Sequence, residues 1–134
     1  MDSPEISSLA ALLSPLLEGV RFAYVFGSFG SPYFTAESDL DLAVDFGALL
    51  SPTEFFGLAE SLSDACGRAV DLVDLRRADP IIAMQILRTG VVFLLNDRKA
   101  LYDFQMAALS GYADHKLDRR PVEASLREAF GGKP

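Results

Sequence analysis

The chain has 134 residues, of which half are hydrophobic and 23% are charged, and its formal net charge is −7. This length and composition predict one globular domain with a substantial core and exclude a disordered chain. No apolar run approaches the roughly 20 residues that span a bilayer, so we expect no membrane association. The single cysteine, Cys66, excludes an internal disulfide and fits a reducing cytoplasm.

The charge is unevenly distributed along the chain. From Lys116 to Pro134 there are five Lys/Arg and three Asp/Glu, so this segment carries +2 and residues 1–115 carry −9. An acidic body argues against direct contact with nucleic acid, which requires basic patches. It suits the binding of cations or of a basic partner protein. We predict a folded domain over residues 1–116 and a C-terminal tail over 117–134 that could contact a partner.

The first part of the chain predicts a helix, a strand, a turn and a second strand. Ser3-Pro4 is typical of a helix start, and apolar residues then recur at helical spacing until Gly19. "VRFAYVF" (20–26) is short, β-branched and aromatic, as strands are. We expect a turn over 27–37 with one helical turn inside it. "DLDLAVDF" (39–46) then alternates with the period of two that is typical of a strand.

The second part of the chain continues to alternate helices with strands. Ser51-Pro52 predicts the start of a second helix, and Glu54 completes a capping box. The remaining predicted elements are a strand over 68–75, a helix from Asp79-Pro80 to Arg88, a strand over 91–95, a helix over 97–116 and a short helix over 121–130. Strands that alternate with helices over this length indicate a single α/β domain.

Gly27 and Ser28 form a candidate phosphate-binding turn directly after the first strand. Such a turn presents free backbone N–H groups to an anion. Glycine allows a phosphate to approach the backbone closely, and the serine hydroxyl adds a donor. Taken alone, the pair is more typical of an ordinary tight turn than of a phosphate-binding one.

Asp39 and Asp41 place two carboxylates on one face of the second strand. Residues two apart on a strand point the same way, with their Cα atoms about 6.6–6.8 Å apart. At an effective dielectric constant near 20, two such charges repel by roughly 2.4 kcal/mol. That repulsion is tolerable if the acidic face is solvated, and it favours the binding of a divalent cation between the two carboxylates. Mg²⁺ usually takes one or two carboxylates together with phosphate oxygens and water.

A third carboxylate follows on the next predicted strand. Within "AVDLVDL", Asp71 stands among apolar neighbours, where a charge needs a partner. If this strand lies beside the second, Asp71 projects onto the same face as Asp39 and Asp41. Asp74 has the opposite parity and is interpreted as a cap or a surface group. Three carboxylates on one face suit a two-metal phosphoryl-transfer site, in which the third can also orient or deprotonate the attacking hydroxyl.

The complete pattern is Gly-Ser, ten residues, then Asp-x-Asp, with Asp71 as the third carboxylate. It resembles the signature of the DNA polymerase β-type nucleotidyltransferases. The short chain is most similar to the minimal nucleotidyltransferases (MNT), and among these to the MntA-type antitoxins of HEPN/MNT toxin–antitoxin modules. The resemblance implies a small nucleotidyltransferase fold with a mixed sheet of about four strands flanked by helices.

The resemblance also implies an activity and a set of partners. It implies transfer of AMP from ATP, with Mg²⁺, to a tyrosine hydroxyl of a HEPN ribonuclease toxin, which silences that toxin in an oligomeric complex. Gly27 and Ser28 are then expected to hold the triphosphate. Asp39, Asp41 and Asp71 are expected to bind metal and to be catalytic.

One feature departs from the family pattern, and three other functions stay open. Many relatives carry a basic residue shortly after the Gly-Ser, whereas this chain reads "FGSP". Phosphate charge is then left to the backbone, to metals and to more distant arginines, of which Arg76, Arg77 and Arg88 are candidates. The alternatives are an antitoxin that acts by occlusion alone, a transferase for a small molecule such as an aminoglycoside, and a nucleotide sensor without turnover.

Overall fold

The computed structural model describes the backbone of residues 4–118 and the side chains of residues 4–113. The helices are α1 (Pro4–Leu13), α2 (Pro52–Cys66), α3 (Pro80–Thr89) and α4 (Arg98–Asp118), and a short 3-10 helix spans Ser14–Leu16. The strands are β1 (Phe22–Phe26), β2 (Leu40–Asp45), β3 (Val70–Asp74) and β4 (Val91–Leu95). The predicted helix over 121–130 lies outside the described residues.

The four strands form one mixed sheet in the order β3-β2-β1-β4. β1 pairs antiparallel with β2 and with β4, and β2 pairs parallel with β3. The parallel pair requires a crossover connection, which α2 provides. β3 and β4 are therefore the two edge strands of the sheet.

The sheet separates two apolar layers. The inward residues of one face, among them Val25, Leu42 and Phe93, pack with α1 and α2. The other face packs Phe22, Tyr24 and Ala43 with α3 and α4. Because side chains alternate along a strand, the odd-numbered residues of β2 belong to this second face. The predicted α/β fold with a mixed four-stranded sheet flanked by helices is confirmed.

Local sequence signals account for the helix boundaries. Ser51 accepts a hydrogen bond from the Glu54 N–H at 3.1 Å while Glu54 accepts from the Ser51 N–H at 2.8 Å, so the predicted capping box is confirmed. Asp79 caps α3 by accepting from the Ile82 N–H. The prediction that α1 continues to Gly19 is wrong. The α-helix ends at Leu13 because Pro15 cannot donate the next helical hydrogen bond, and a 3-10 turn follows.

The loop between β1 and β2 also differs from expectation, because it contains no helical turn. Residues 28–38 form successive tight turns, in which the N–H groups of Ser31, Phe34 and Ser38 each donate to the carbonyl three residues earlier. No helix in the described part of the chain is long and apolar enough to cross a membrane.

Candidate active site

Three carboxylates meet at one end of the sheet, where β1 ends and both β2 and β3 begin. The β2 residue Asp41 pairs with Phe26 on one side and with Asp71 on the other. Paired residues project to the same face, so Asp41 and Asp71 stand side by side on the face that packs with α3 and α4. Asp39 directly precedes β2 with the same parity as Asp41. The prediction that β3 lies beside β2, with Asp71 on the face of Asp41, is confirmed.

The electrostatics of this end follow from the accumulated charge. Burial raises the pKa of Asp41, and the neighbouring Asp71 and Asp39 carboxylates raise it further. The Asp41 carboxylate forms no hydrogen bond or ion pair among the described residues. The folded protein therefore holds uncompensated negative charge here, and a cation would relieve it.

Gly27 lies against the central carboxylate. Its φ is +74°, a left-handed conformation that favours glycine. A Cβ atom at this position would collide with Oδ2 of Asp41. Backbone and carboxylate can approach so closely only because Gly27 has no side chain.

Arg68 holds the loop that carries Ser28. The Arg68 guanidinium donates to the carbonyls of Thr35 and Ser38, each at 3.1 Å, and stacks over the Phe34 ring at 4.6 Å. Phe34 in turn packs edge-on against Phe29, with 5.3 Å between ring centroids. These contacts place both ends of the loop, Gly27-Ser28 and Ser38-Asp39, beside Asp41.

One of the predicted environments is wrong and another is half right. Asp71 is exposed, not enclosed by apolar groups, because β3 is an edge strand and its start is uncovered. Asp74 is the predicted cap but not a surface group, since it is only 3% exposed. Its carboxylate accepts from the N–H groups of Leu50 and Arg76, each at 3.0 Å, and so caps two connecting segments from inside.

The donor set fits a metal ion that arrives with a nucleotide. No three Asp, Glu, His or Cys side chains among the described residues converge closely enough to hold an ion by themselves. Mg²⁺ needs only one or two carboxylates when phosphate oxygens and water complete its shell. Asp39 and Asp41, with the glycine backbone beside them, provide such a partial set.

No sequence pattern pointed to Thr89, which contacts the loop from the end of α3. The Gly27 N–H donates to Oγ1 of Thr89 at 3.4 Å, and this hydroxyl donates to the Gln85 carbonyl at 2.9 Å. Thr89 lines a cavity of about 360 Å³ together with Arg88, so this arginine lies on the β1 side of the site. Arg77 instead lines a groove that includes Asp71, on the β3 side. Arg76 is exposed and lines neither cavity.

Comparison with known sequences gives a family and a curated relative. Residues 10–99 match the family described as "Polymerase beta, Nucleotidyltransferase". Over 84 residues the chain is 31% identical to the protein adenylyltransferase MntA of Shewanella oneidensis, a match that covers 63% of this chain and 60% of the relative. The chain thus spans about 60% of the length of that curated relative.

Solved structures of toxin–antitoxin complexes contain chains with this fold. A chain in the crystal structure of a toxin–antitoxin with AMP-PNP superposes with a TM-score of 0.77 at 25% identity, covering 90% of this chain and 97% of the other. A second structure contains a tri-AMPylated Shewanella oneidensis HEPN toxin in complex with an MNT antitoxin. There the TM-score is 0.73 at 25% identity, and coverage is 90% of this chain and 94% of the other.

Proposed function

Because this chain belongs to the Polymerase beta nucleotidyltransferase family, we propose that it is an antitoxin that transfers AMP from Mg-ATP to a tyrosine hydroxyl of a HEPN ribonuclease toxin. The observation that carries the proposal is the pairing of Asp41 with Asp71 beside Gly27, with Asp39 next to them. The similarity to MntA and to chains in toxin–antitoxin complexes supports the choice of acceptor and partner.

The proposed reaction is an in-line displacement at the α-phosphorus of ATP. The tyrosine oxygen forms a bond to this phosphorus, the bond to the bridging oxygen breaks, and pyrophosphate leaves. The tyrosine proton passes to Asp71, which is exposed and lies one strand from Asp41. The products are an AMP–tyrosine phosphodiester and pyrophosphate.

The other residues hold the nucleotide. Gly27 and Ser28 would hold the triphosphate, the glycine by allowing close approach to the backbone and the serine through its N–H and hydroxyl groups. Asp39 and Asp41 would hold the metal together with phosphate oxygens, and Asp71 would lie beside it as a further carboxylate. When bound, Mg²⁺ would neutralise phosphate charge. A bound cation would also stabilise the charged form of Asp41, whose pKa is raised by burial and, further, by the neighbouring Asp71 and Asp39 carboxylates.

The proposed setting is the cytoplasm, in a stable complex with the toxin and without direct contact with nucleic acid. A single cysteine fits a reducing compartment. The acidic charge of residues 1–115 disfavours a nucleic-acid surface. The same charge suits a basic partner protein.

Mass spectrometry of the purified HEPN toxin, after incubation with ATP and this protein, tests the proposal. At well below equimolar amounts the wild type should add AMP to the toxin and silence its ribonuclease activity. Asp71→Asn should reduce the rate about 10²-fold or more if Asp71 is the base. The matched control is Asp64→Asn, the same substitution at another exposed carboxylate, on α2, and it should keep full activity.

The same assay separates transfer from occlusion. Silencing that requires equimolar protein, adds no mass and persists in Asp71→Asn would overturn the enzymatic proposal in favour of occlusion. AMP transfer to an aminoglycoside, with none to the toxin, would indicate a small-molecule transferase instead. ATP binding without AMP transfer to the toxin or to an aminoglycoside would indicate a nucleotide sensor without turnover.

A further inference from the structure

A groove with a volume of about 640 Å³ lies along the free edge of β3. It runs between the start of α2 and the start of α3. We call it the β3-edge groove; its lining includes Phe55, Phe56, Asp71, Asp74, Arg77 and Ile82. Because Asp71 is a proposed catalytic group, the groove is continuous with the candidate active site.

The direction of the reaction assigns this side of the site to the acceptor. Gly27 follows β1, Asp41 is on β2 and Asp71 is on β3, so Gly27 and Asp71 lie on opposite sides of Asp41. Two strand spacings separate β1 from β3, which is about 9–10 Å. In an in-line displacement the attacking oxygen and the leaving pyrophosphate lie on opposite sides of the phosphorus. If pyrophosphate leaves towards Gly27, the hydroxyl arrives from the β3 side.

The chemistry of the groove suits a protein segment that carries an aromatic hydroxyl. Phe56 is 69% exposed, and exposed apolar side chains rimmed by polar groups mark contact surfaces. Leu49, which is 55% exposed, precedes the lining residue Leu50 in the chain. An aromatic acceptor can pack its ring on this apolar lining, whereas a serine side chain has no ring to pack there.

The charge of the groove indicates what flanks that aromatic residue. Its ionisable lining is three aspartates and one arginine. Asp74 accepts from two backbone N–H groups, and Asp79 accepts from the Ile82 N–H. No ion pair of Arg77 forms among the described residues. The net charge of the lining is negative, which attracts a segment with Lys or Arg near the acceptor.

We propose that the β3-edge groove is the acceptor-docking site, which receives a tyrosine-bearing, basic segment of the partner protein and delivers its hydroxyl to Asp71. This inference rests on the proposed function and adds to it the surface that selects the acceptor. The adenine ring of ATP is the competing occupant, because the groove is large and apolar enough to accept it. The two occupants predict opposite kinetic results.

The test uses Phe56→Ser, a change at an exposed position that leaves the core intact. Steady-state transfer to the purified HEPN toxin should show a KM for the toxin raised about tenfold, as for a residue that contributes strongly to an interface, with the KM for ATP unchanged. Affinity for the toxin without nucleotide, measured by calorimetry, should fall in parallel. Phe56→Leu should retain most of both. Leu109→Ser, at an exposed apolar position of α4 outside the groove, is the matched control and should behave as wild type.

The other outcomes would contradict the docking proposal, or the proposed function together with it. A raised KM for ATP with an unchanged KM for the toxin would assign the groove to the adenine ring and overturn the docking proposal. Wild-type values for both would exclude the groove from substrate binding, with the proposed function intact. Failure of the wild type to modify the toxin at all would refute the proposed function, and the docking inference with it.

Discussion

The two ends of the sheet carry the same residue type in opposite electrostatic states. Asp45 and Asp74 lie at one end, where they are only 4% and 3% exposed. Both accept hydrogen bonds from N–H groups of the described residues. Asp45 accepts from Arg21 Nε at 2.8 Å and from the Gly47 N–H at 2.7 Å. Asp41, four residues earlier on the same face of β2, has only other carboxylates for charged neighbours. The paired aspartates stabilise the fold, and the unpaired ones hold charge that a ligand can use.

The contrast suits a structural role for the buried aspartates and the proposed functional role for Asp41. The Asp45 carboxylate raises the pKa of Arg21, as expected for a hydrogen-bonded ion pair. Burial and like charge raise the pKa of Asp41. Substitutions at the two ends should therefore have opposite effects on stability, and only one end should affect transfer of AMP.

Removal of the buried Asp74 carboxylate should have the largest effect. Asp74→Ala leaves two part-buried N–H groups, of Leu50 and Arg76, without their acceptor, and should lower the free energy of unfolding by about 2–4 kcal/mol. Asp74→Asn retains one acceptor oxygen and should fall between Ala and wild type. Urea denaturation measures all three. Equal stability of Ala and wild type would refute the structural role of Asp74.

At the other end, substitution should remove ligand stabilisation. With Mg-ATP at a hundred times its dissociation constant, the wild type should gain roughly 2.7 kcal/mol. Asp39→Asn/Asp41→Asn should gain almost nothing, because the metal loses its carboxylates. Thermal melts with and without Mg-ATP compare the two proteins. Equal shifts in both would count against the metal assignment.

Two glycines beside the two aspartates provide a matched pair for the phosphate cradle. Gly27 and Gly47 both have positive φ, +74° and +83°, so an alanine is strained at either position. Gly27→Ala should also weaken ATP binding at least tenfold, whereas Gly47→Ala, at the Arg21–Asp45 end, should change it less than twofold. Ser28→Ala should weaken ATP binding by about 0.5–1.5 kcal/mol. Nucleotide titration of the folded variants decides; a Gly27→Ala protein with wild-type affinity would exclude the cradle.

The smallest effect should be a pH-dependent difference in stability between two identical substitutions. Because folding raises the pKa of Asp41, the folded protein retains this proton over a pH range in which the unfolded chain has lost it. Stability therefore falls as pH rises through the folded pKa. Asp41→Asn should be more stable than wild type at pH 7 by a few tenths to about 1 kcal/mol, and the gain should vanish as pH falls towards about 4.

Asp45→Asn is the control for that measurement, since it removes the charge that holds Arg21. It should destabilise the protein at pH 7. The same sign of effect for Asp41→Asn and Asp45→Asn would contradict the difference between the two ends.

The sequence by itself determined the order and kind of the elements and the identity of the candidate site residues. Capping residues such as Ser51 and Asp79 act within one turn of the chain, and strand periodicity is local. Helix starts and strands can therefore be predicted without knowledge of the fold. The spacing from Gly27-Ser28 to Asp39 and Asp41 is local in the same sense.

Tertiary structure alone decided the environment of each aspartate. Strand order places β3 at an edge, which exposes Asp71, and packing buries Asp74 beneath segments near residues 50 and 76. It also brings Thr89 to the Gly27 N–H across 62 residues. Burial and long-range hydrogen bonds depend on which segments come into contact. The local pattern of apolar and polar residues does not specify those contacts.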